Sequence, residues 1–141
     1  MSTRTNILIE NYETKLWLYR HYDGYLSATG YDLIINLIHN KDITSFVTSL
    51  LATNYDACEL HSKKSVYEVT SEQHGDIDFL YRFIFDDRKG KVKIIIDEVS
   101  PYDSELTKNL ITTDFFSVSR EEVKKNCHLI FEAKKNSHSY A

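Results

Sequence analysis

Ile77-Asp78-Phe79-Leu80-Tyr81-Arg82-Phe83-Ile84-Phe85, Asp86-Asp87-Arg88-Lys89-Gly90 and Lys91-Val92-Lys93-Ile94-Ile95-Ile96-Asp97-Glu98-Val99 run consecutively and decide the fold. Phe79, Tyr81, Phe83 and Phe85 recur at every second residue, so they line one face of a strand. The five residues that follow are mostly charged and close on Gly90, where a hairpin needs a positive φ. Val92, Ile94 and Ile96 then share one face of the return strand. Lys93, Ile95 and Asp97 share the other. Pro101 ends the strand, because it has no donor for a ladder. Upstream, Ser65 to Thr70 is a strand candidate and Gln73-His74-Gly75-Asp76 is a turn. Together these predict a three-stranded antiparallel meander.

Outward from the meander the chain changes period. Asn6 to Glu10 and Lys15 to His21 predict a hairpin around Asn11-Tyr12-Glu13-Thr14. A helix is expected from about Ala28 to His39, with Leu33, Ile34, Leu37 and Ile38 on one stripe. Asp42 is an N-cap, and Ile43, Phe46, Val47, Leu50 and Leu51 follow at helical spacing. Ser119 caps a last helix, with Glu122 three residues on. Its stripe is Val123, Cys127, Ile130 and Phe131. Residues 102–113 support no single assignment, and 134–141 are expected as a frayed tail. Helices do not alternate with single strands, which argues against a doubly wound parallel sheet. The expectation is an α+β fold. An antiparallel sheet of about five strands carries helices on one face and ends in a C-terminal helix. Trp17, Tyr19 and other tyrosines fall on the opposite face, which points to a homo-oligomer.

Composition narrows the function classes. The 141 residues predict one domain spanning 1–141. The net charge of −4 argues against duplex nucleic acid as a partner, because phosphate binding needs a clustered basic field. No apolar run is long enough to span a membrane, and Met1 to Asn6 leads into no apolar segment of signal-peptide type. Cys58 and Cys127 lie far apart and are expected as reduced thiols in the cytosol. Four glycines leave no room for GxGxxG or GxxxxGK, so nucleotide-dependent enzymes built on those loops are excluded. No cofactor and no metal motif is implied.

The segment Tyr19-Arg20-His21-Tyr22-Asp23-Gly24-Tyr25 carries the candidate chemistry. It is too polar for a core strand, since each buried head group would need a partner. It suits the mouth of a site at a strand end. His21 with Asp23, and His74 with Asp76, form two imidazole–carboxylate pairs at strand ends. If the two turns share an edge, they converge with Arg20. Arginine offers a fork of donors for phosphate, and tyrosine rings stack on bases. Arg20 and Arg82 are the expected phosphate or ribose contacts, and Tyr22 and Tyr25 the expected stackers. Asp23 and Gly24 are expected to structure the site, through a side-chain turn bond and a positive φ at the glycine. A catalytic use of His21 and His74 draws on the same groups. The plainer alternative is that both aspartates only cap turns.

Ser2-Thr3-Arg4-Thr5-Asn6-Ile7, the Tyr19 to Tyr25 segment, Gly30 and Leu33 together resemble a group of small phage and bacterial proteins. These open with Ser-Thr-Arg-Ser-Asn-Ile and carry Tyr-x-His-x-Asp-Gly-Tyr before a helix. One branch similar in this segment is the phage Thoeris anti-defence signal-sponge proteins. Arg4, Asn6, His21, Asp23, Gly24, Tyr25 and Gly30 carry the resemblance, over about the first quarter of the chain. Leu26 stands where those proteins usually have proline. The resemblance implies an oligomer that sequesters a cyclic nucleotide immune signal without cleaving it. On that reading the ligand-binding set is Arg4, Arg20, His21, Tyr22, Tyr25, His74 and Arg82. Two alternatives remain. One is an anti-CRISPR-like inhibitor that binds a host defence protein through Asp86-Asp87, Asp97-Glu98, Asp103 and Glu105. The other is a small histidine-dependent hydrolase.

Overall fold

A computed structural model describes residues 3–54, 65–99, 107–116 and 118–137. Cys58, Pro101, Asp103 and Glu105 lie outside these residues. The described chain contains strands β1 (Thr5–Glu10), β2 (Lys15–Arg20), β3 (Glu68–Thr70), β4 (Phe79–Asp86), β5 (Lys91–Glu98) and β6 (Lys108–Phe115). Its helices are α1 (Tyr31–His39), α2 (Ile43–Leu51), α3 (Arg120–Asn126) and α4 (His128–Ser137). A π-helical turn over Leu26–Gly30 leads into α1.

Local chemistry explains the boundaries. The Asn11 side-chain oxygen accepts from the backbone N–H groups of Glu13 and Thr14, at 3.0 and 2.9 Å, and turns β1 into β2. Gly90 takes a φ of +63° in the β4–β5 turn, where a side chain would be strained. Asp42 caps α2 by accepting from the Ser45 N–H at 2.9 Å, and Ser119 caps α3 by accepting from Glu122.

The six strands form one mixed sheet in the order β3-β2-β1-β4-β5-β6. β1 and β4 run parallel; the other neighbours are antiparallel. Two expectations are corrected here. The sheet has six strands, because 108–115 forms β6 against β5. The sheet is also mixed, because β1 and β4 pair in parallel, and β3 pairs with β2 rather than with β4. The meander therefore consists of β4, β5 and β6, and the N-terminal hairpin joins it through the parallel β1–β4 pair. Two smaller differences follow. The expected last helix is two helices that meet at Cys127, and α4 continues through Lys134 to Ser137.

Side-chain alternation gives the sheet two unlike faces. Ile7, Ile9, Leu18, Tyr81, Phe83, Phe85, Val92, Ile94, Ile96, Ile111 and Phe115 build the core face. Leu33, Ile34, Leu37, Phe46, Leu50, Val123, Cys127 and Ile130 from the helical segments join the same cluster. Burial pushes the Cys127 thiol up to about 12, so it stays neutral in this core. Leu8, Trp17, Leu80, Ile84 and Ile95 alternate onto the second face. No helix among the described residues is long and apolar enough to cross a membrane.

Candidate functional site

Alternation at the end of β2 divides the candidate segment between the two faces. Leu18 points into the core, so Arg20 lies on the helix side and Tyr19 on the second face. Each side gathers its own group of polar residues.

On the helix side, Arg20 is held from three directions. Its Nε donates to the Tyr22 carbonyl at 2.9 Å and its Nη1 donates to the Tyr67 hydroxyl at 3.2 Å. Its Nη1 also lies 3.9 Å from Asp32 Oδ2, and the Arg20 side chain is 13% exposed. Tyr67 donates its own hydroxyl proton to Asp32. Burial, then the Asp32 charge, raises the Tyr67 pKa, so the phenol remains a donor. This triad borders a cleft of about 480 Å³ lined by Arg20, Asp23, Tyr31, Asp32, Asn54 and Lys134 among others. The Lys134 ammonium sits over the Tyr31 ring at 5.1 Å, and Phe131 meets Tyr31 edge-on at 5.8 Å. Two cations and two carboxylates line the cleft. It suits a ligand that presents both anionic and hydrogen-donating groups.

On the second face, Tyr19 is the hub. The His74 ring stacks on it at 4.1 Å and 21°, and its hydroxyl lies 3.4 Å from His21 Nδ1. The same hydroxyl donates to Asp76 Oδ2 at 3.4 Å. Arg4 Nη1 reaches that oxygen at 3.4 Å, and His74 Nδ1 lies 4.0 Å from Asp76 Oδ1. Burial and the Asp76 charge push the Tyr19 pKa up to about 12. Tyr22 stands edge-on to His21 at 4.7 Å and 89° and is 51% exposed.

The expected residues are thus distributed rather than gathered. His21 and His74 both meet Tyr19, and Arg4 rather than Arg20 joins this group, through Asp76. The His21–Asp23 pair is not formed: Asp23 Oδ1 instead accepts from the Tyr25 hydroxyl at 3.2 Å, and Asp23 lines the cleft. Arg82 joins neither group. It lies on the second face but turns toward β5, where its Nη2 binds Asp97 at 2.9 Å. Asn109 donates to the same carboxylate at 2.9 Å. The left-handed residue at the turn is Asp23, with a φ of 59°, and not Gly24. Gly24 is required for a different reason. A Cβ there would lie 2.9 Å from the Thr3 carbonyl oxygen, to which the Gly24 N–H donates.

Sequence reasoning missed Tyr31, Asp32, Tyr67 and Lys134. Asp32 had one usable signal, as an acidic residue in a first helical turn. Lys134 had none, because it reaches the cleft only through the packing of α4 against α1 and its leading turn. Comparisons with protein-family models, curated proteins and solved structures return no match.

Proposed function

We propose that the chain is a phage-type counter-defence protein that binds and sequesters a nucleotide-derived immune signal in the cleft beside β2. The observation that carries this reading is the fixed Arg20 guanidinium in the cleft wall. Tyr67, Asp32 and the Tyr22 carbonyl hold it before any ligand arrives, so little side-chain entropy is lost on binding. Arg20 and Lys134 suit a phosphoryl group. Asp23 and Asp32 suit ribose hydroxyls or an exocyclic amine, and Tyr31 suits a base. Capture of this kind uses donors, a ring and burial, and calls on no acid–base step. The resemblance of the Arg4 to Gly30 region to the signal-sponge branch supports the same class of ligand. The reading also expects a cytosolic homo-oligomer.

The test is to incubate the purified chain with a panel of cyclic nucleotides and remove free ligand. Heat then releases whatever was held, and mass spectrometry identifies it. Intact cyclic nucleotide is expected from the wild type. Arg20→Ala is expected to weaken binding by about 10- to 100-fold, the loss of charge-assisted hydrogen bonds. Arg20→Lys should not restore it, because an ammonium lacks the planar fork. No nucleotide retained by the wild type would overturn the reading.

A further inference from the structure

One carboxylate organises two imidazoles on the second face. Tyr19 has a single hydroxyl proton, and it goes to Asp76 Oδ2 at 3.4 Å. The same hydroxyl oxygen lies 3.4 Å from His21 Nδ1. With Nδ1 turned to Tyr19, Nε2 is the His21 nitrogen left to meet a substrate proton. His74 is arranged differently. Its Nδ1 faces Asp76 Oδ1 directly at 4.0 Å, so the carboxylate orients this ring. The Tyr19 ring stacks on His74 at 4.1 Å and meets the His21 ring at 5.9 Å, so both imidazoles share one hub.

Arg4 completes the group. It contacts Asp76 through Nη1, while its Nε is buried with no hydrogen-bond partner. Nε is closed to any ligand, but the Arg4 side chain is 36% exposed, so an oxyanion would meet the guanidinium from its exposed side. We propose that Arg4, Tyr19, His21, His74 and Asp76 form an acid–base site that cleaves ribonucleotide phosphodiesters through the substrate's own 2′-hydroxyl. The proposal goes beyond capture in the cleft, which uses other side chains on the other side of β2.

The step balances without a co-reactant. His21 Nε2 takes the proton of the 2′-hydroxyl, and O2′ bonds to phosphorus. The bond from phosphorus to O5′ breaks, and O5′ takes the proton of His74. The products are a 2′,3′-cyclic phosphate and a 5′-hydroxyl, and nothing is oxidised or reduced. Arg4 faces the charge that grows on the phosphoryl oxygens. Tyr22, edge-on to His21 and half-exposed, offers a ring to the flanking base.

The test uses the full chain with a short oligoribonucleotide and its all-deoxy counterpart, reading product ends by mass spectrometry. The RNA should yield 2′,3′-cyclic phosphate ends and the DNA should stay intact. His21→Ala and His74→Ala should each lower the rate by about 10²- to 10⁴-fold, with thermal melts confirming that both fold. The wild-type rate should be bell-shaped in pH. The groups facing the imidazoles are Arg4, Tyr19, Tyr22 and Asp76, with Glu68 across from Tyr19 and Asp78 holding the Arg4 backbone. Equal cleavage by the histidine variants, a flat pH profile, or no cleavage by the wild type overturns the proposal. Cyclic-nucleotide retention is scored separately on the same wild-type protein. Retention without cleavage therefore removes this site alone, and cleavage without retention removes the cleft reading alone.

Discussion

Gly24 shows how a single residue joins the site to the fold. Its N–H donates to the Thr3 carbonyl at 2.9 Å, and its own carbonyl accepts from the buried Tyr81 hydroxyl at 2.7 Å. An added Cβ would also meet Thr5 Cβ at 3.0 Å and the Arg4 carbonyl carbon at 3.1 Å. Backbone cannot swing aside as a flexible side chain can. Gly24→Ala should therefore lower stability by about 1 to 3 kcal/mol. Urea unfolding should show a lower midpoint with an unchanged slope; a midpoint equal to wild type would show that β1 yields. Asp23 beside it needs no glycine. Aspartate tolerates the left-handed region better than most residues, and the Asp23 carbonyl accepts from the Thr29 hydroxyl at 2.6 Å. The sequence pointed to a tight turn here. It assigned the positive φ to the wrong member of the pair, because the glycine's close approach to β1 is a tertiary fact.

At the scale of elements, Asn6 ties three segments together. It is fully buried, donates to the Leu18 carbonyl at 2.9 Å and accepts from the His74 N–H at 2.7 Å. Asn6→Ala leaves the His74 donor without this acceptor. We expect a stability loss of about 1 to 3 kcal/mol, read by chemical denaturation. His74 should also detach from Tyr19, read by the loss of ring-current shifts on its imidazole protons. An unchanged imidazole spectrum would contradict the tie.

The elements themselves were legible where the period was strong. Phe79 to Phe85 and Val92 to Ile96 alternate cleanly, and Ile43 to Leu51 keeps helical spacing. β6 was not legible, because in Lys108 to Phe115 only Ile111 and Phe115 are buried. Pairing was legible across short turns only. No local signal says that β3 joins β2, or that β1 and β4 run parallel. Those pairings depend on how α1 and α2 cover the core between them. The continuous stripe Val123, Cys127, Ile130 likewise hid the break between α3 and α4.

Across the whole molecule, one alternation rule sorts the chemistry. Adjacent residues at the end of β2 face opposite sides, so Arg20 serves the cleft and Tyr19 serves the histidine cluster. The sequence set the candidate residue types in one segment, and left the meeting of His21 and His74 conditional on the two turns sharing an edge. It did not show that the sheet would pass between Arg20 and the histidines. The buried phenols and thiol also give the molecule a shared alkaline weakness. Tyr19 and Cys127 are each pushed up to about 12, from ordinary values of 10.0 and 9.0. Burial raises Tyr67 and Tyr81 as well. The folded chain therefore holds protons that the unfolded chain releases, and stability falls as pH rises. It should be constant up to about pH 9 and decline from there toward 12, followed by denaturant unfolding at stepped pH. A flat profile over that window would contradict the burial of these groups.

On the proposed function, ligand capture and the histidine cluster occupy opposite sides of β2. Chemical-shift mapping during titration with a cyclic nucleotide that the protein retains tests it most directly. Saturating shifts are expected at Arg20, Tyr31, Asp32 and Lys134, with the His21 and His74 imidazoles little moved. Shifts centred on His21, His74 and Arg4, with the cleft residues unchanged, would contradict it.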